Sequence, residues 1–234
     1  MERVPLFLKK LQKTLARRTA TVPRGFTLIE MLVVLAIFVI ITSVVLVSQT
    51  QFNRTLLLTD TAYNVALSLR ETQSLGLSSK AFNSLINEGF GIHFDTSSNT
   101  SYEQFGDISR ATLTPPSWCP TGTPGHPDSK NGNCIYDGAP ELVQQYTFSQ
   151  GYTLNQFCAY SNGVSLGCSP SGITSLDILF QRPNTTTIMT VKNNFGVYRQ
   201  ADTACIQIQS PDDATNEFIK VTQLGEISVA STCP

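Results

Sequence analysis

Histidine is scarce in this chain, with only His93 and His126 among 234 residues, and no G-x-S-x-G, Walker loop, G-x-G-x-x-G or H-E-x-x-H sequence occurs. A Ser-His-Asp site would have to use one of those two residues. His126 lies in a proline-rich stretch and His93 in an expected strand, and neither has a recognisable constellation beside it. The sequence therefore predicts no enzyme, no cofactor and no small-molecule substrate. It also lacks C-x-x-C, so no metal ligand set is expected. Asp128, Asn131, Asn133 and Asp137 offer oxygens over ten residues, but not at EF-hand spacing, and read as a solvated loop. Charge is thin at 14% and unevenly placed. Seven of the 16 basic residues fall in the first 25 positions against Glu2 alone, which leaves nine basic and 16 acidic residues from Phe26 onward. A body with a balance of -7 gains nothing from counterion release, so no nucleic-acid partner is expected.

The basic leader is followed by FTLIEMLVVLAIFVIITSVVLV, Phe26 to Val47, 22 residues with one ionisable group, Glu30. As a helix this run spans about 33 Å, enough to cross a hydrocarbon core of about 30 Å. It is too long for the h-region of a signal peptide and no A-x-A-like site closes it. By the positive-inside rule the leader stays in the cytoplasm and the carboxyl-terminal body crosses the membrane. The chain is thus expected to be a single-pass protein of the cytoplasmic membrane with a periplasmic or extracellular domain. Glu30 costs about 2.5–3.5 kcal/mol on insertion scales and needs compensation. Thr27-x-x-Glu30 has the spacing of a capping box, and a carboxylate in the first turn suits the helix dipole. If the chain is cut after Gly25, Phe26 also acquires a positive amino terminus able to neutralise Glu30, in the same or a neighbouring molecule.

At this point the string RGFTLIEMLVVLAI, Arg24 to Ile37, resembles the type IV prepilin signature. The resemblance implies cleavage between Gly25 and Phe26 by prepilin peptidase and N-methylation of Phe26. It also implies a role for Glu30 in setting register by meeting another subunit's amino terminus. Further on, VALSLRETQSLGLSS, SLDILFQRP and FIKVTQLGEISV resemble the H-type minor pseudopilins of type II secretion and related minor pilins. That resemblance implies a structural subunit of a type IV pilus or a secretion pseudopilus, with other pilins or pseudopilins as partners. The alternative is a filament-tip adhesin or ligand-binding ectodomain, including a component of a DNA-uptake pilus.

The expected fold class is α+β: a long amino-terminal helix, half in the membrane and half soluble, packed on an antiparallel β-sheet domain. The boundaries read as leader 1–25, membrane helix 26–47, soluble half 48–78 and β-rich domain 79–234. No proline or glycine interrupts the helix before Gly76, its expected stop near Ser74. Phe52, Leu56, Tyr63, Leu67 and Leu75 are expected to form its buried stripe. Strands are expected at 91–94, 142–148, 152–159, 175–180, 186–191, 204–209, 218–222 and 226–229, with turns at Asn162-Gly163 and Leu224-Gly225. Residues 115–140 read as a long surface loop, and Trp118 as a cover for its disulfide or for the core edge. All six cysteines, Cys119, Cys134, Cys158, Cys168, Cys205 and Cys233, lie beyond the membrane run, which predicts disulfides in an oxidising compartment. Loop closure favours pairing of sequence neighbours among the 15 possible connectivities.

Overall fold

The computed structural model describes residues 25–78, 80–83, 88–108, 116–120, 132–183 and 185–233. Two compact units divide the chain, residues 1–50 and 51–234. Helix α1, Leu28–Leu77, contributes to both and is followed by eleven strands among the described residues.

The strands are β1 (Gly89–Asp95), β2 (Ser101–Asp107), β3 (Leu142–Thr147), β4 (Thr153–Ser161), β5 (Val164–Cys168), β6 (Ile173–Phe180), β7 (Thr187–Asn193), β8 (Tyr198–Ala201), β9 (Thr203–Gln209), β10 (Asn216–Thr222) and β11 (Ile227–Ala230). They build two antiparallel sheets, ordered β3-β2-β1-β6-β7-β8 and β11-β10-β9-β4-β5. The α+β class and the antiparallel pairing agree with the sequence reading. Three strands that reading missed, β2, β5 and β8, are polar, glycine-bearing or short. SYEQFGD, VSLGC and YRQA lack the β-branched alternation that marks a strand. The Asn162-Gly163 turn carries positive φ at both residues, 51° and 76°, as a two-residue hairpin loop of type I′ demands, and it delivers β5 against β4.

Alternation along the strands sorts side chains to two faces. Ile92 and Phe94 of β1, Leu176, Ile178 and Phe180 of β6, and Ala204, Ile206 and Ile208 of β9 enter one core shared by both sheets and the second half of α1. The helix contributes Leu58, Ala62, Val65, Ala66 and Leu69, spaced for one face. The stripe expected there is corrected. Phe52, Leu56, Tyr63 and Leu67 are 52–64% exposed, and Leu75 is only half-buried. The inward face mixes large and small residues, Leu58, Val65 and Leu69 with Ala62 and Ala66, so side-chain size is a poor guide to which face is buried.

Buried polar groups on the same face are tied across to β2. Thr72 Oγ1 donates to the Ser68 carbonyl at 2.7 Å and accepts from Gln104 Nε2 at 2.7 Å. Ser68 Oγ lies 3.0 Å from the Tyr102 hydroxyl, whose pKa burial pushes up to about 12 despite that hydrogen bond. Tyr102 in turn stacks on Phe94 and Tyr146. Such fully paired polar contacts fix the register between helix and sheet at little net cost.

A second, smaller cluster lies on the opposite face of the six-stranded sheet. Phe105, Leu179, Cys119 and Cys134 form it, with Tyr136 and Ile188 packed alongside. The segment expected to be a solvated loop is thus corrected for its described parts. Asn133, Cys134, Ile135 and Glu141 are buried. The Asp107 carboxylate clamps them by accepting the backbone N–H groups of Asn133 at 2.8 Å and Cys134 at 3.0 Å. Trp118 donates from Nε1 to Thr190 Oγ1 at 3.3 Å, so it covers the sheet beside the disulfide.

Gly76 does not stop the helix; it sits in the last turn before Leu77. A Cβ built on it would lie 2.2 Å from the carbonyl oxygen of Phe180. Glycine is there because the end of β6 touches the helix backbone. Helix propensity alone predicts that Gly76→Ala gains about 1 kcal/mol. The contact predicts the opposite, a loss of about 1–3 kcal/mol in thermal unfolding followed by circular dichroism. An unchanged or raised melting temperature would refute the close approach.

Candidate processing and assembly site

Helix α1 begins without a charged residue other than Glu30. From Met31 to Asn53 the chain has no ionisable side chain. Among the described residues, one helical segment is long and apolar enough to cross a membrane: Leu28–Leu46, mean hydropathy 2.9, with none of it buried. Hydroxyls in this stretch are satisfied internally. Thr42 Oγ1 donates to the Phe38 carbonyl and Ser43 Oγ to the Ile40 carbonyl, both at 2.8 Å. An apolar surrounding offers no water to polar groups, and this arrangement removes the need for it.

Glu30 closes a reciprocal cap with Thr27. The Thr27 N–H donates to Glu30 Oε2 at 3.4 Å and the Glu30 N–H donates to Thr27 Oγ1 at 3.3 Å. Both contacts are long, so the cap orients the carboxylate without neutralising it. Immediately upstream, a Cβ added to Gly25 would meet nothing within 4 Å, and Phe26 is 78% exposed. Among the described residues nothing packs against position 25.

In the second unit, the exposed face of α1 carries Phe52, Leu56, Tyr63 and Leu67. Beside it the outermost strand β3 leaves a groove of about 390 Å³ whose walls include Leu57, Leu67, Glu71, Tyr146 and Phe148. Sequence periodicity had assigned these large residues to the core. An exposed apolar stripe of this kind marks an interaction surface more often than an accident of composition.

The six cysteines form three bridges, Cys119 to Cys134, Cys158 to Cys168 and Cys205 to Cys233. The first closes a separation of 15 residues, worth roughly 3 kcal/mol in the chain-entropy picture. The second joins directly opposed residues of β4 and β5. Cys158 is also the register partner of Cys205, so the second and third bridges are neighbours on the five-stranded sheet. Of the oxygens considered for calcium, Asp128 and Asn131 lie outside the described residues, as does His126. Asn133 Nδ2 donates to Asp137 Oδ2 at 3.0 Å and Asn133 Oδ1 accepts from the Ile135 N–H, so this pair serves the loop's own structure.

Comparison with known proteins gives one family match: residues 23–46 fit the prokaryotic N-terminal methylation motif. No curated protein and no solved structure matches the chain. The motif coincides with the exposed apolar start of α1 and contains Gly25, Phe26, Thr27 and Glu30.

Peptide mapping of the unreduced protein is expected to yield the three cross-linked pairs above and no alkylatable thiol. A peptide joining Cys158 to Cys205, which the register also brings together, would contradict the pairing.

Proposed function

We propose that this type IV pilin-like protein is a minor pilin or pseudopilin subunit that works by assembly. Prepilin peptidase removes residues 1–25, the new amino terminus at Phe26 is N-methylated, and residues 26–47 hold the chain in the cytoplasmic membrane. The rest of the helix, 48–78, and the β-rich domain, 79–234, stand on the periplasmic side until the subunit joins a type IV pilus or a type II secretion pseudopilus. There Glu30 meets the amino terminus of a neighbouring subunit, and other pilins or pseudopilins cover the apolar surface of α1.

The observation that carries this reading is a wholly exposed apolar helical segment, Leu28–Leu46, that coincides with the methylation motif and holds a single carboxylate. A membrane alone accounts for the apolar surface but not for Glu30, whose burial in lipid costs about 2.5–3.5 kcal/mol. An amine created at Phe26 supplies the missing charge in a low-dielectric setting, where a well-placed pair is costly to break. The three disulfides agree with a domain on the oxidising side.

Two substitutions separate the steps. Gly25→Val, which meets no described residue, is expected to leave the precursor uncut; a mature Phe26 terminus found by mass spectrometry would overturn the peptidase assignment. Glu30→Ala is expected to leave cleavage and membrane insertion intact while lowering the amount in sheared filaments on the order of a hundredfold, the cost of an unpaired buried charge. Normal incorporation of that variant would refute the register role.

A further inference from the structure

A separate cluster of chemically capable side chains lies on the outer face of the six-stranded sheet, away from the core. Strand register places it there. His93 of β1 is the partner of Asp177 on β6, and Asp95 is the partner of Ser175 two residues along. Tyr136, from the segment that covers this face, packs its ring 4.7 Å from the imidazole. Together these residues line a cavity of about 660 Å³.

Each of the two presenting side chains has one end fixed and the other offered to the cavity. His93 Nδ1 is bonded to Asp177 Oδ1 at 2.6 Å. A carboxylate only accepts, so Nδ1 is the donor and Nε2 is left as the outward nitrogen. Asp95 Oδ1 accepts the Ser97 N–H at 2.6 Å, which leaves Oδ2 outward. The two outward atoms face each other at 3.9 Å, too far for a hydrogen bond. Asp177 is 1% exposed, and its Oδ2 takes no well-formed hydrogen bond among the described residues; burial pushes its pKa up, against the opposing pull of His93 and the Tyr136 N–H. Lys192, also in the lining, is drawn over the Tyr198 ring at 5.7 Å.

From this geometry we propose that His93 Nε2 and Asp95 Oδ2 bind a divalent transition-metal ion of the zinc class, with Asp177 as the buried carboxylate that orients the imidazole. Zinc takes imidazole nitrogen and carboxylate oxygen at about 2.0–2.2 Å, so a gap of 3.9 Å lies inside the reach of one bridging ion. Tetrahedral coordination needs roughly 3.4 Å between the two donors, a closure that a small side-chain rotation supplies. The imidazole favours a transition metal over calcium or magnesium. A carboxylate on the far nitrogen of a ligating histidine is the usual support for such a site. With two protein ligands, water completes the shell. The proposal does not depend on the assembly role.

The test uses the mature full-length chain in detergent with its disulfides intact, stripped with a chelator and titrated with Zn²⁺ by calorimetry. One equivalent should bind with a dissociation constant below about 0.1 mM. Asp95→Asn and His93→Gln should each weaken binding at least about tenfold, and Asp177→Asn about 10–100-fold through loss of orientation. Asp95 is a third exposed at a strand end and can be exchanged without disturbing the core, so its variant decides the matter if His93→Gln fails to fold. Binding weaker than about 0.1 mM, or binding unchanged in Asp95→Asn, overturns the site.

Discussion

An ionised carboxylate cannot be left alone in hydrocarbon, and that constraint governs everything at the amino-terminal end of this chain. Over the 23 residues after Glu30 no second charge is available to meet it. The Thr27 cap reaches it only through long hydrogen bonds, and the next cation in sequence is Arg54, whose guanidinium is engaged with Asp212. If cleavage after Gly25 removes the basic leader with Arg24, the nearest cation left in sequence is the new amine at Phe26. On the proposed reading the glycine, the cap and the carboxylate form one device: a scissile position, a carboxylate oriented by its cap, and a positive terminus generated by processing.

The same helix solves a different problem in its second half, where it must bury one face against two sheets and leave the other open. Ala62, Ala66 and Gly76 let backbone and sheet come close, and Ser68 and Thr72 exchange hydrogen bonds with Tyr102 and Gln104. Four further bulky residues, Phe52, Leu56, Tyr63 and Leu67, face outward. For a protein acting alone this is the wrong way round, because the transfer free energy of four large side chains, about 1.5–3 kcal/mol each when fully buried, is left unused. For a subunit whose helix is covered by its neighbours, that free energy is held back for assembly.

This inversion explains where sequence reasoning succeeded and where it failed. The helix and most strands were legible because periodicity and breakers are local signals. The buried helix face was not, because large apolar residues stand on both faces of the helix and periodicity alone does not say which face packs. The methylation motif at residues 23–46 was legible because its residues stand together in one stretch of chain. The sequence-neighbour disulfides were favoured by short loop closure, although only the antiparallel register shows Cys158 next to two other half-cystines. His93 was visible only as an isolated residue in a strand. Its partner is 84 positions away, and nothing short of the β1–β6 register joins them.

The outer face of the six-stranded sheet extends the argument beyond the helix. Across it the register aligns Glu103, His93, Asp177, Thr190 and Gln200, a polar row where an uncommitted surface would mix residues freely. The covering segment could have buried this row under apolar side chains. Its described residues pack apolar side chains at the end near Phe105 and Leu179, with Asp107 as clamp, and bring Trp118 onto Thr190, while His93 and Asp95 line a cavity. Keeping a carboxylate such as Asp177 at 1% exposure costs several kcal/mol of desolvation that a hydrophobic pair in the same place would not incur. Stability alone gives no reason to retain it. An imidazole held in one orientation toward an open cavity does give one, and it places a second, self-contained piece of chemistry on a face that the assembly helix does not use.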